Sequence, residues 1–229
     1  MDDSFPPGKS ILTAIPIPVA RFSDLRLRFH EVMKDFISPQ PGTCNLTLPE
    51  LHGKSMLPNH TDDDKLLYFG KIADYVIENE LPVYRVGYNR TPATEIRFSS
   101  DKELRGLVWD GMMHVIEPIL SESFVIPIMD SCDLNERSKY SRPLQEMGVL
   151  QSIGFGKAIA IQGVANLIGE VYFADSSVSA LTQVVDMVSY LRLKLEAGKG
   201  SAFQESLQNI ARKLDVAMAY EKVHALSLT

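Results

Sequence analysis

Asp175, Gln183 and Asp186 are the residues whose types and spacing best suit chemistry. They lie in the stretch from Val171 to Tyr190. Val171, Tyr172 and Phe173, β-branched and aromatic neighbours after Gly169-Glu170, read as a short strand that ends at Asp175. A serine-rich turn follows, in which Ser177 or Ser179 can cap a helix by accepting an orphan backbone N–H. Leu181, Val184, Val185, Val188 and Leu191 then recur at helical spacing as one apolar stripe. Gln183, Asp186 and Tyr190 fall on another face, which the pattern alone leaves solvated. In this arrangement Asp175, Gln183 and Asp186 can approach one point at the carboxyl end of a sheet, where open α/β sheets bind ligands.

Two further acidic stretches match Ala174-Asp175-Ser176 in kind: Asp2-Asp3-Ser4 near the start, and Met129-Asp130-Ser131 after the apolar run from Phe124. One strand-end acid is most simply a turn former that bonds its own backbone. Several that converge repel one another unless a cation neutralises them. Hard oxygen donors of this kind suit Mg2+ or Mn2+.

The elements that must position these acids can be read in order. Ser10–Ile17 reads as a strand whose exit is set by Pro16. Only Met1 precedes Asp2, so a strand that seats Asp2 is very short or starts upstream of this Met. Phe22–Ile37 has helical spacing. Thr61 is placed to cap a second helix running to about Asn79, with Asp62, Asp63 and Asp64 favouring its dipole. Pro82–Tyr88 reads as a strand, and Ser100 as the cap of a helix reaching Ile116. Phe124–Met129 and Asn166–Ala174 are strand material, and Pro143–Ile153 is helical in pattern. Gly198-Lys199-Gly200 breaks the chain, and Ser201–Ala225 reads as one amphipathic helix. These spacings predict an α/β domain over 1–197 and a helical tail over 198–229.

At this point the motifs resemble a known family. Asp2-Asp3-Ser4, Glu50-Leu51-His52-Gly53, a strand ending in Asp130, and Gln183-Val184-Val185-Asp186-Met187-Val188-Ser189-Tyr190 follow one another as in the bacterial and phage family called domain of unknown function 3800. The resemblance spans Asp2 to about Leu193; Val184-Val185 stands where that family usually has Leu-Ala. It implies an RNase H-like fold, a mixed sheet flanked by helices with acids at its centre. It further implies Asp2, Glu50, Asp130 and Asp186 as metal-binding carboxylates, with Asp3 and Asp175 as second choices. The expected activity is Mg2+- or Mn2+-dependent phosphodiester hydrolysis, a nuclease acting on RNA or DNA. His52 would move a proton, or be a turn histidine bonded to local backbone. Lys54 would offset phosphate charge, or be an ordinary surface lysine.

For substrate contact the residues offer Gln183 and two basic groups that alternate with aromatics. Arg85, Arg90 and Arg97 lie near Tyr84 and Tyr88, and Arg137, Lys139 and Arg142 surround Tyr140. Such groups can grip phosphates and stack bases, although a charged group of this size is more simply a solvated face. The alternative expectation is a catalytically inactive RNase H-like interaction protein that uses the tail helix to meet a partner or a second copy. A nucleotide-binding α/β protein is a weaker reading, since neither GxGxxG nor GxxxxGK[ST] occurs.

Composition narrows these readings. The 229 residues are 45% hydrophobic and 23% charged, as in an ordinary globular domain. A formal net charge of -6 provides no broad positive field, so phosphate binding must be local. Cys44 and Cys132 form no CxxC pair and read as free thiols of a reducing cytosol. The opening Met1-Asp2-Asp3 lacks the basic and apolar regions of a signal peptide, and no apolar run suits a membrane helix. The expected location is therefore cytoplasmic, with no membrane partner.

Overall fold

The computed structural model describes residues 9–34, 61–89, 108–109, 111–116, 119, 126, 128–130, 172–174, 179–196 and 200–225; at 9, 129, 130, 173 and 225 it describes the backbone only. Asp2, Asp3, Glu50, His52, Lys54, Arg137, Asp175 and the helix expected at Pro143–Ile153 lie outside these residues. The chain divides into two compact units, each assembled from separated pieces: one from 1–4, 13–83 and 175–219, the other from 5–12, 84–174 and 220–229.

The first unit is helical. Helices α1 (Phe22–Met33), α2 (Asp62–Glu78), α3 (Ala180–Glu196) and α4 (Ala202–Lys213) form its core. Helix α3 packs against α1, α2 and α4. The expected apolar stripe of α3, Leu181 through Leu191, is buried throughout. Thr61 caps α2 as its position predicts: its hydroxyl accepts from the Asp64 N–H, and the Asp64 carboxylate accepts from the Thr61 N–H. This reciprocal pairing satisfies two orphan donors at once. Tyr75 fastens α2 to α1 by donating to the Leu25 carbonyl at 2.8 Å, and its ring meets Phe29 edge-on. Burial, with the Asp24 charge adding to it, pushes the Tyr75 phenol up to about 12.

The second unit holds a sheet in the order β1-β2-β5, with β1 at Lys9–Ala14, β2 at Val83–Asn89 and β5 at Met218–Ala225. Strand β2 is central, and Gly87 lets its neighbours close in. A Cβ there would stand 2.8 Å from Ile11 Cγ1 and 3.1 Å from the Ser10 carbonyl oxygen. On the other face of β2, Val86 and Tyr88 approach Gly111, part of a helical stretch that buries Trp109 and Met112. Strands β3 (Ile128–Asp130) and β4 (Tyr172–Ala174) pair in parallel, with Ile128 opposite Tyr172 and Asp130 opposite Ala174.

The architecture is thus mixed α and β, with a small three-stranded sheet and helices. One expectation is corrected. The tail is not one helix from Ser201 to Ala225: α4 stops at Lys213, a 3-10 turn spans Leu214–Ala217, and the rest is strand β5. The sequence Met218-Ala219-Tyr220-Glu221-Lys222-Val223 keeps a strand's alternation, and pairing with β2 supplies backbone partners that a helix would otherwise provide. The apolar face of α4 is also occupied within its own chain. Leu207 and Ala211 are buried, and Phe203 and Ile210 pack on the helical core.

Two outcomes follow from the packing of β2. Gly87→Ala is expected to destabilise the protein by about 1–3 kcal/mol, read as a lower urea midpoint, because the new methyl meets backbone and a branched side chain. His224 stacks on Tyr88 with ring centres 5.1 Å apart, and burial, with Lys222 adding to it, lowers its pKa. A lowered folded-state pKa means that the unfolded chain binds the proton more readily, so stability is lost as pH falls from about 6.5 through the folded value. His224→Phe should reduce that acid-side loss in urea titrations at stepped pH.

Candidate functional site

Helix α3 is buried on nearly every side, including the side that its sequence pattern leaves to solvent. Thr182 and Gln183 are 7% and 1% exposed, Asp186 9%, Ser189 1% and Arg192 6%. The expectation of a solvated Gln183–Asp186 face is therefore corrected. Its cause is the surrounding packing: α1, α2 and α4 enclose the helix, so its polar residues are carried inside with the apolar ones.

Each enclosed polar group then needs a partner. Thr182 donates to the Ser179 carbonyl at 2.7 Å, closing the first turn. The Thr13 hydroxyl, from the end of β1, donates to Ser189 Oγ at 3.1 Å, and both residues are essentially inaccessible. Arg192 donates to the Ala211 carbonyl and pairs with Asp215, which ties α3 to the end of α4. Tyr190 stacks on Phe69 of α2 at 5.4 Å and takes the Lys194 ammonium over its ring.

Asp186 is the acid of this set. Tyr68, on α2, is fully buried; its phenol is pushed far above the ordinary value by burial first and by the Asp186 charge second. The phenol therefore stays protonated at any ordinary pH. A carboxylate this enclosed is costly unless donors or a cation compensate it. The oxygen donors of Asp186 and Gln183 suit a hard divalent cation in kind. Among the described residues no three of His, Cys, Asp and Glu gather into a cation-holding group.

The remaining candidates fall elsewhere. Asp130 ends β3 in the second unit, and its register partner Ala174 directly precedes Asp175. The parallel pair thus aligns residue 130 and the end of β4 at one carboxyl edge, the edge at which α/β sheets place ligands. At the opposite, amino ends of the two strands Ile128 and Tyr172 are exposed. Arg85 departs from expectation. Its side chain is 2% exposed, and it pairs with Glu221 of β5 at 2.7 Å, so it braces the sheet and does not face solvent. Pattern reading missed Tyr68, Thr13, Ser189 and Glu221. The signal that could have pointed to Glu221 is its place in an alternating run, and Tyr68 could have been found as a hydroxyl on an apolar helix face. A groove of about 310 Å3 near Leu81 and Val216 contains none of the candidate residues.

If Arg85 serves the sheet, removing its partner must affect folding. Glu221→Gln is expected to cost about 1–3 kcal/mol in urea unfolding, since it leaves a buried guanidinium with a weaker acceptor.

Among the described residues no helix is long and apolar enough to cross a membrane. No protein-family model matches the chain, and neither the curated proteins nor the solved structures contain a match to it.

Proposed function

We propose that this protein is a divalent-metal-dependent phosphodiester hydrolase, a nuclease of RNase H-like type, with Asp186 as a central metal-binding carboxylate. The observation that supports this most is the position of Asp186: an acid 9% exposed in the middle of an enclosed helix. Such a residue contributes little to packing and adds a desolvation cost, which is characteristic of groups kept for chemistry. The order of Asp2, Glu50, Asp130 and Asp186 along the chain supports the same reading through the family resemblance. The carboxyl-edge register of Asp130 and Ala174 is compatible with Asp130 and Asp175 contributing donors.

In this reading Asp2, Glu50, Asp130 and Asp186 hold Mg2+ or Mn2+, with Asp175 as a further donor. The cation, when bound, supplies charge neutralisation at the scissile phosphate and a more acidic water. The chain's own contributions are orientation and proton transfer. Gln183, one turn before Asp186, is placed to accept or donate a hydrogen bond beside the carboxylate. His52 is the proton carrier, since an unperturbed imidazole changes charge near neutrality. Lys54 and Arg137 are the remaining candidates for phosphate contact. Arg85 is not among them, because it is committed to Glu221.

The alternative reading is a catalytically inactive RNase H-like interaction protein. Calorimetry with Mn2+, together with cleavage of single-stranded RNA and DNA, tests the proposal. Asp186→Asn should weaken Mn2+ binding by at least about tenfold and abolish cleavage while the protein remains folded. Metal-dependent cleavage that persists in Asp186→Asn would sink the proposal.

A further inference from the structure

Three contacts fix how β5 lies along β2. Arg85 pairs with Glu221 at 2.7 Å, a Cβ at Gly87 would stand 3.4 Å from Val223 Cγ2, and the Tyr88 ring stacks on His224. In each contact the partner stands 136 positions further along the chain. The two strands therefore run parallel and level, which places Tyr84 beside Tyr220 and Val86 beside Lys222. Side chains alternate between the faces of a sheet. Tyr84, Tyr88, Tyr220, Lys222 and His224 thus share one face, and Arg85 and Glu221 take the other. We propose that this face, on the β5 side of the sheet, is a platform for single-stranded nucleic acid: the paired rings stack bases, and Lys222 between them holds a phosphate. The inference rests on the hydrolase reading above for a nucleic-acid substrate and adds where that strand is gripped.

The face is reachable where it is aromatic and charged. The order β1-β2-β5 leaves β5 with a neighbour on one side among the described strands. Lys222 is exposed, and Tyr84, Tyr88, Tyr220 and His224 are each partly exposed. Among the described residues Lys222 makes no ion pair; Glu221, next to it in sequence, points to the opposite face and is committed to Arg85. The charge of Lys222 is therefore available locally although the whole chain is acidic. Along each strand the two rings are four residues apart, about 13 Å at the rise of a strand. Rings alone would suit any flat apolar group. A cation set between two ring pairs selects a ligand that alternates flat rings with negative charge, as a single strand does. A duplex hides its ring faces in its own stack, so it does not fit.

The test is fluorescence anisotropy of labelled oligouridylate and oligothymidylate with the whole chain, in the absence of divalent ions so that nothing is cleaved. Tyr220→Leu should weaken binding about tenfold, and Tyr220→Phe, which keeps the ring, should restore it. Lys222→Gln, an exposed change, should weaken binding and lower the dependence of log Kd on log salt by about 0.7. A wild-type chain that binds neither strand at low salt overturns the proposal. So do equal losses in Tyr220→Leu and Tyr220→Phe, a salt dependence unaltered by Lys222→Gln, binding of duplex as tight as of single strand, or competition by polyglutamate as strong as by unlabelled strand. Because the readout needs no metal, losses in Tyr220→Leu and Lys222→Gln support the platform even where cleavage persists in Asp186→Asn and the hydrolase reading fails.

Discussion

From Ala180 to Arg192 helix α3 leaves almost nothing to solvent, and that constraint shapes the helical unit around it. Packed by α1, α2 and α4, it carries Thr182, Gln183, Asp186, Ser189 and Arg192 into the interior. Each must then be matched there, because water is no longer at hand. Arg192 is matched by the Ala211 carbonyl of α4 and by Asp215 in the 3-10 turn that follows it. Ser189 is matched by Thr13. The polar groups of α3 therefore do more than survive burial. They specify which neighbours may pack on it and in what register, a role that apolar contacts perform less selectively.

Much of the fold was legible because its signals are local. The Leu181–Leu191 stripe marks α3, and Thr61 with Asp64 marks the start of α2 through hydrogen bonds only three residues apart. Val83–Tyr88 reads as a strand from its own residues, and a strand is present there. What escaped depends on distant partners. Periodicity identifies the apolar face of α3 but says nothing of what covers the opposite one, so Gln183 and Asp186 read as solvated. The region after Lys213 combines helical spacing at Leu214 and Met218 with strand-like alternation from Met218 onward. Pairing with β2, more than a hundred residues away in the chain, decides between them.

The candidate site divides in the same way. Its acids were legible as residue types at strand ends and in motifs, but whether they meet is a matter of long-range geometry. The β3–β4 register brings residue 130 level with the end of β4, an alignment that no local pattern encodes. Arg85 illustrates the opposite case. A basic residue between two tyrosines reads as a ligand contact, yet its partner is Glu221 in a strand that sequence spacing had assigned to a helix. Misreading β5 and misreading Arg85 are thus one error with two consequences.

The way the chain is threaded between its two units carries a last implication. It leaves the helical unit after Val83 and re-enters it at Asp175, so everything between is, for that unit, one long excursion whose ends must be brought together. The entropic toll of closing such an excursion rises only with the logarithm of its length; doubling it adds about 0.6 kcal/mol. The length of the intervening segment can therefore change at little cost in closure entropy to the helices. Swapping or trimming a helix that frames α3 has no comparable tolerance.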